Sequence, residues 1–251
     1  MTISATNVEK IPKIGHDEAM RLAETEYRRL LDVVEQLGEA DWRRPTDCQL
    51  WDVKALLSHM LGGMEGNASI RESIRQFRLA AKASKSSGRP FIDEMTDRQV
   101  REHASLPPAE VASRLRDTAP KALRGRRGMP ALMRAMRFNP GPPVKAKWTF
   151  GFLVDIILNR DNWMHRIDLT RSTENELTIT GEHDGRIVAD VVAEWARAHG
   201  QPFSLILEGA AGGAFVHGQG GEEHRLDAIE FCRILSGRAK GSGLLSQEVP
   251  F

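Results

Sequence analysis

Asp161 and His165 are four residues apart. On a helix their side chains would sit one turn apart on the same face. A carboxylate and an imidazole placed that way form either a charge-assisted pair inside a bundle or two ligands of one metal ion. On a helical wheel of residues 150–169, Phe150, Val154, Ile157, Leu158 and Met164 gather on one side. Asp161, His165 and Asp168 fall in the middle of that apolar stripe, where an uncompensated carboxylate is expensive. His59 is the third residue of interest. Its helical neighbours at i+3, i+4 and i+7 are Gly62, Gly63 and Gly66. Glycine costs a helix roughly 1 kcal/mol against alanine, and one gain that offsets this is room for a neighbouring helix or a ligand to approach. Taken alone, His59 also reads as an ordinary core or surface histidine.

The two cysteines, Cys48 and Cys232, are far apart and form neither a disulfide framework nor a CxxC site. Cys48 follows Asp47 in a turn and reads as a structural cysteine, with a reactive thiol as the alternative. Cys232 lies on an apolar helix and reads as core. His103, His183, His199, His217 and His224 have no ligand-like spacing and read as surface residues.

The elements that must position these groups are mostly helical. Met20, Ala23, Tyr27, Leu30, Leu31, Val34 and Leu37 share one helical face, which predicts a helix over 17–37 stopped by Gly38. A second helix starts at Asp52, a suitable N-cap, with Val53, Leu56, Leu57, Met60, Leu61 and Met64 inside. Its pattern runs on through Phe77 and fades in Ser84–Gly88. Residues 93–127 read as a short helix and a longer one begun by Pro107-Pro108. Thr118–Val154 holds eight basic residues and no acidic one. It reads as a mobile, solvated basic connector with a short helix near Ala131–Met136; a lid or anion-attracting rim is the alternative. The fourth long helix spans about 149–171. After Asn175 the pattern becomes αβββα: a helix over Asp184–His199, strands at Ser204–Glu208, Ala214–His217 and Glu223–Leu226, and a helix over 227–235. The fold class is therefore mainly α, with a helical bundle over 1–175 and a small α/β domain over 176–251.

The 251 residues, 41% hydrophobic, suffice for a sizeable core. With 35 basic and 34 acidic residues the net charge is +1, which calls for no nucleic acid, and no aromatic interleaving or reader motif accompanies the basic stretch. The most apolar window, Phe150–Leu158, is short and interrupted by Asp155, so no membrane span is expected. The first residues lack the apolar run of a signal peptide, and a cytoplasmic location is the expectation.

Two blocks carry a resemblance. Trp42-Arg-Arg-Pro45-Thr46, then Trp51-Asp-Val53, then a helix with His59, resembles the first block of the mycothiol-dependent maleylpyruvate isomerase-like family, within the DinB-like four-helix-bundle superfamily. Asn159-Arg-Asp-Asn-Trp-Met-His-Arg-Ile-Asp168 resembles its second block, and Phe231–Arg238 resembles the end of its small C-terminal domain. The resemblance implies a divalent metal, usually zinc, held by His59, Asp161 and His165. Asp161 stands where the isomerases carry glutamate, one methylene longer. That departure bears more on the specific isomerase activity than on the metal site. The resemblance also implies mycothiol as the thiol cosubstrate and hence an actinobacterial source.

Three protein ligands leave zinc an open position. A low-molecular-weight thiol entering it would lose its proton. The thiolate could add to a small-molecule electrophile, giving cis-trans isomerisation of a conjugated ketone by addition, bond rotation and elimination, or a lasting S-transfer. A carboxylate-bearing substrate would want an arginine. Arg238, at the end of the last helix, is the candidate catalytic residue, with Arg233 the second choice. The competing expectations are a DinB-like protein with a structural metal and a non-catalytic binder of a small molecule or lipid in the C-terminal domain.

Overall fold

The computed structural model describes residues 5–142, 144 and 146–251. It is mainly α and divides into two compact units. One is Gly15–Leu177. The other joins the N-terminal segment up to Ile14 to Thr178–Phe251. The N-terminal segment thus groups with the small unit and not with the bundle, because strand β1 (Thr6–Asn7) pairs in parallel with Phe215 and Val216 of the small unit's sheet.

The larger unit is built on α1 (His16–Glu35), α2 (Val53–Ala68), α3 (Ile70–Ser87), α4 (Phe91–His103), α5 (Pro108–Arg127), the short α6 (Ala131–Ala135), and α7 (Phe150–Phe152) leading through a π-helical turn, Leu153–Ile157, into α8 (Leu158–Thr173). Helices α1, α2, α5 and α8 form a four-helix bundle, and α3 and α4 pack together along the outside of α2. Asp52 accepts the amide of Ala55 at 2.8 Å and so caps α2 as its residue type suggests. The α2 stripe of Val53, Leu56, Leu57, Met60, Leu61 and Met64 is fully inside, against Tyr27, Leu30 and Val34 of α1 and Val111 and Leu115 of α5. Burial of such side chains contributes about 1.5–3 kcal/mol each and sets which face of α2 looks inward.

Three expectations change. The second helix does not run through Phe77: Ser69 is extended (φ −143°, ψ 118°) and caps a separate α3 through the amide of Glu72. Ile70, Ile74 and Phe77 continue the apolar spacing across that break, which hides it in the sequence. The basic stretch is not one long connector, since Thr118–Arg127 completes α5 and a two-residue ladder, β2 (Arg137–Phe138) with β3 (Trp148–Thr149), follows α6. Arg126 is buried inside the bundle, donating to Tyr27 Oη at 3.2 Å, Val154 O at 2.6 Å and Asn159 Oδ1 at 2.7 Å. Two histidines read as surface residues, His103 and His183, are also buried.

The small unit carries α9 (Asp184–His199), β4 (Phe203–Glu208), β5 (Gly213–His217), β6 (Glu222–Asp227) and α10 (Ala228–Leu235). The sheet order is β1-β5-β4-β6, with β4 antiparallel to β5 and parallel to β6. Phe203, Leu205 and Leu207 alternate inward along β4, and the Trp195 ring packs against those of Phe203 and Phe231, 4.7 and 5.4 Å away, in the core of the unit. Among the described residues, no helix is long and apolar enough to cross a membrane.

Candidate metal centre

The hairpin-like turn before α2 is held by its own hydrogen bonds. Thr46 Oγ1 donates to Trp51 O at 2.8 Å and accepts from the Cys48 amide at 3.2 Å; the Val53 amide donates to Arg44 O at 3.0 Å. The turn is fastened to the end of α8 by Ser172 Oγ donating to Pro45 O at 2.6 Å and by the Arg171–Asp47 ion pair at 3.0 Å. Trp51 thereby lies over the histidines: its ring is 4.9 Å from that of His59 and 6.1 Å from that of His165, centroid to centroid. Thus Pro45, Thr46 and Trp51 shape a wall, and none of them is needed as a ligand.

Helices α2 and α8 bring His59, Asp161 and His165 together. His165 Nε2 is 3.2 Å and His59 Nε2 3.8 Å from the same Asp161 oxygen, Oδ1. One ligand atom from each of the three residues lies within 4.8 Å of the others, a spacing that could hold a metal ion. The imidazoles are buried, whereas the Asp161 side chain keeps 27% exposure, so solvent reaches the carboxylate side. Burial raises the Asp161 pKa, but the attraction and hydrogen bonding of His165 and then His59 outweigh it and hold the carboxyl well below its usual range. Burial disfavours the His165 cation; the Asp161 charge and hydrogen bond, with Asp168 and Cys48, reverse this and push the imidazole well above its ordinary value.

The outward nitrogen of each ring is engaged as well. His165 Nδ1 faces Asp168 Oδ2 at 3.1 Å, a carboxylate with no exposure. His59 Nδ1 faces Gln99 Oε1 of α4 at 2.8 Å. An acceptor at Nδ1 on both rings leaves both Nε2 atoms turned toward the Asp161 carboxylate. Two imidazole nitrogens, each ring backed by a hydrogen bond at its other nitrogen, and one carboxylate are a donor set that could hold a metal ion.

Part of this surrounding layer is only faintly marked in the sequence. Cys48, read as structural, lies 3.9 Å from His165 Nδ1 and 3.5 Å from Asp168 Oδ2. Gln99 and its neighbour Gln76 were not singled out, although the glycines beside His59 marked their place: a Cβ on Gly62 would lie 2.6 Å from Gln99 Cγ, and one on Gly66 would lie 3.4 Å from Gln76 Oε1. The α8 helix is buried over most of its surface, and Arg166 on it pairs with Glu26 of α1 at 2.5 Å, so its polar residues do not lie on one stripe. Arg238 lies in the small unit, half-buried, after α10. Arg233 donates to Glu230 at 2.6 Å.

The fold and site define a class: a four-helix bundle in which two helices converge two imidazoles and a carboxylate. Residues 23–170 match the family model described as the mycothiol maleylpyruvate isomerase N-terminal domain, and the chain belongs to that family. Two solved structures are similar over nearly its whole length. One is the mycothiol-dependent maleylpyruvate isomerase, 14% identical with a TM-score of 0.59 and 94% of each chain covered. The other is a histidine-to-alanine mutant described by the same name, 13% identical with a TM-score of 0.59, covering 93% of this chain and 92% of that one. At these identities the likeness is one of fold. No curated protein sequence matches the chain.

Proposed function

We propose that this protein is a divalent-metal enzyme of the maleylpyruvate isomerase type, which uses a low-molecular-weight thiol, mycothiol, for cis-trans isomerisation or S-transfer on a small electrophile. The observation that carries the reading is the convergence of His59 Nε2 and His165 Nε2 on Asp161 Oδ1. Family membership over residues 23–170 supports the choice of thiol.

In this reading His59, Asp161 and His165 hold zinc. When bound, the metal supplies a Lewis-acidic position that favours the thiolate form of an incoming thiol. Asp168 and Gln99 hold the two rings so that neither can turn its Nε2 away. Trp51 packs against the two rings on one side. With Cys232 in the core and Cys48 engaged with Asp168, the attacking sulfur comes from the external thiol. Arg238 would bind a substrate carboxylate. The reading implies a cytoplasmic protein of an actinobacterial, mycothiol-making cell, in which the helical unit Gly15–Leu177 binds the metal.

The test is metal analysis of the purified protein, followed by turnover of a cis-configured conjugated keto acid with and without mycothiol. Stoichiometric zinc and thiol-dependent conversion to the trans isomer are expected. Turnover that is equal without the thiol, or that survives complete removal of metal, overturns the reading.

A further inference from the structure

The buried amides beside His59 form a relay whose direction can be worked out from one end. Gln76 of α3 approaches the carbonyl oxygen of Gly62 at 2.9 Å and the carboxylate oxygen of Glu72 at 2.9 Å. Both of those atoms can only accept, so Gln76 must present its NH2 group to them. Its own oxygen then faces Gln99, which must present its NH2 group in turn, at 2.9 Å. That leaves Gln99 Oε1 facing His59 Nδ1 at 2.8 Å, and an oxygen there is satisfied only by a protonated Nδ1. Gln76 and Gln99 are 4% and 7% exposed, so no bulk water is at hand to replace a partner that turns the wrong way.

From this geometry we infer that Gln99, anchored through Gln76 to the Gly62 carbonyl, is a positioning residue that favours the Nδ1–H tautomer of the neutral His59 ring and so turns the Nε2 lone pair toward the space between His165 and Asp161 that a metal ion would take. The use of that lone pair rests on the metal reading above; the tautomer itself does not. The anchor returns to the helix that carries His59, because Gly62 lies three residues on. The absence of a Cβ at Gly62 is also what admits Gln99, whose Cβ and Cγ would lie 2.7 and 2.6 Å from it. The α3–α4 pair, which contributes no ligand, thus acts on the site through one hydrogen bond.

The experiment is nitrogen-15 NMR of histidine-labelled, metal-free protein at a pH where His59 is neutral, together with zinc affinity by chelator competition. Wild type is expected to carry the His59 proton on Nδ1. Gln99→Met keeps the side-chain volume and removes the acceptor. It is expected to populate the Nε2–H tautomer and to weaken zinc binding about 10–100-fold. Gln76→Met should shift both readouts the same way by less. An Nε2–H tautomer in wild type overturns the proposal without any variant, and so does an unchanged tautomer in Gln99→Met. If the tautomer behaves as expected and neither protein binds zinc, the role of Gln99 stands and the metal reading falls.

Discussion

The sulfur of Cys48 lies 3.5 Å from Asp168 Oδ2, the same oxygen that faces His165 Nδ1 at 3.1 Å. The buried carboxylate therefore stands between a thiol and a candidate ligand. The bond to His165 orients a ring that faces the candidate metal position, and the bond from Cys48 supports the carboxylate. Asp168→Ala is expected to weaken zinc binding about 10–100-fold. Cys48→Ser keeps a donor in place and is expected to leave metal content and thiol-dependent turnover near wild type. Chelator competition and a turnover assay check both. Loss of turnover in Cys48→Ser with metal still bound would make Cys48 the nucleophile and remove the external thiol from the mechanism.

Asp161 supplies the carboxylate on which both Nε2 atoms converge. Asp161→Ala leaves two histidines and no anionic ligand, and is expected to weaken zinc binding by more than the ~10–100-fold typical of a supporting residue. Asp161→Glu lengthens the arm by one methylene on a side chain that is not fully enclosed, and should retain metal. Equal zinc content in wild type and Asp161→Ala after dialysis against a mild chelator would remove Asp161 from the ligand set.

Much of this architecture was legible because it follows from periodicity. The α9 helix was read over Asp184–His199 and spans those residues, since its apolar spacing coincides with its ends. The three long strands of the small unit are each within about a residue of their reading, because Phe203, Leu205 and Leu207 alternate cleanly. Strand β1 was illegible, being two residues long and defined only by its pairing with β5. The same distinction holds at the site. His59, Asp161 and His165 were marked by residue type, spacing and family blocks. Gln99 is joined to His59 across 40 positions, and only the packing of α4 on α2 makes that bond.

Two buried or part-buried histidines should give opposite pH responses. Burial works against the charged form of His103, but its hydrogen bonds to Glu65 and to the Gln99 carbonyl, with the Glu65 charge, raise its pKa above 6.5. A raised value stabilises the fold below 6.5, and that contribution is lost as pH rises from there through the folded value. Burial lowers the His199 pKa below 6.5, helped by the charges of His217 and His224 and opposed by Glu222. The native state then resists protonation, so stability falls as pH drops from 6.5 through the folded value. Urea unfolding across pH 5 to 9 checks this. His103→Gln should flatten the alkaline side, and His199→Gln the acidic side. A profile that either variant leaves unchanged on its own side excludes that histidine as the cause.

The glycines beside His59 give a contrast that separates space for packing from empty helix surface. A Cβ at Gly63 would meet nothing within 4 Å, so Gly63→Ala should gain helix propensity and stabilise by up to about 1 kcal/mol. A Cβ at Gly62 would lie 2.6 Å from Gln99 Cγ and 3.2 Å from Gln99 Cα. Those atoms are at the base of the side chain and on the backbone, so they cannot swing aside, and α4 must shift. Overpacking of this kind costs about 1–3 kcal/mol, more than alanine returns in propensity. Gly62→Ala is therefore expected to be net destabilising, and also to weaken zinc binding, because displacing Gln99 breaks its hydrogen bond to His59. Denaturant midpoints and chelator competition on the two variants measure this. Equal stability effects at the two positions would show that α4 does not press on α2 at Gly62 as described.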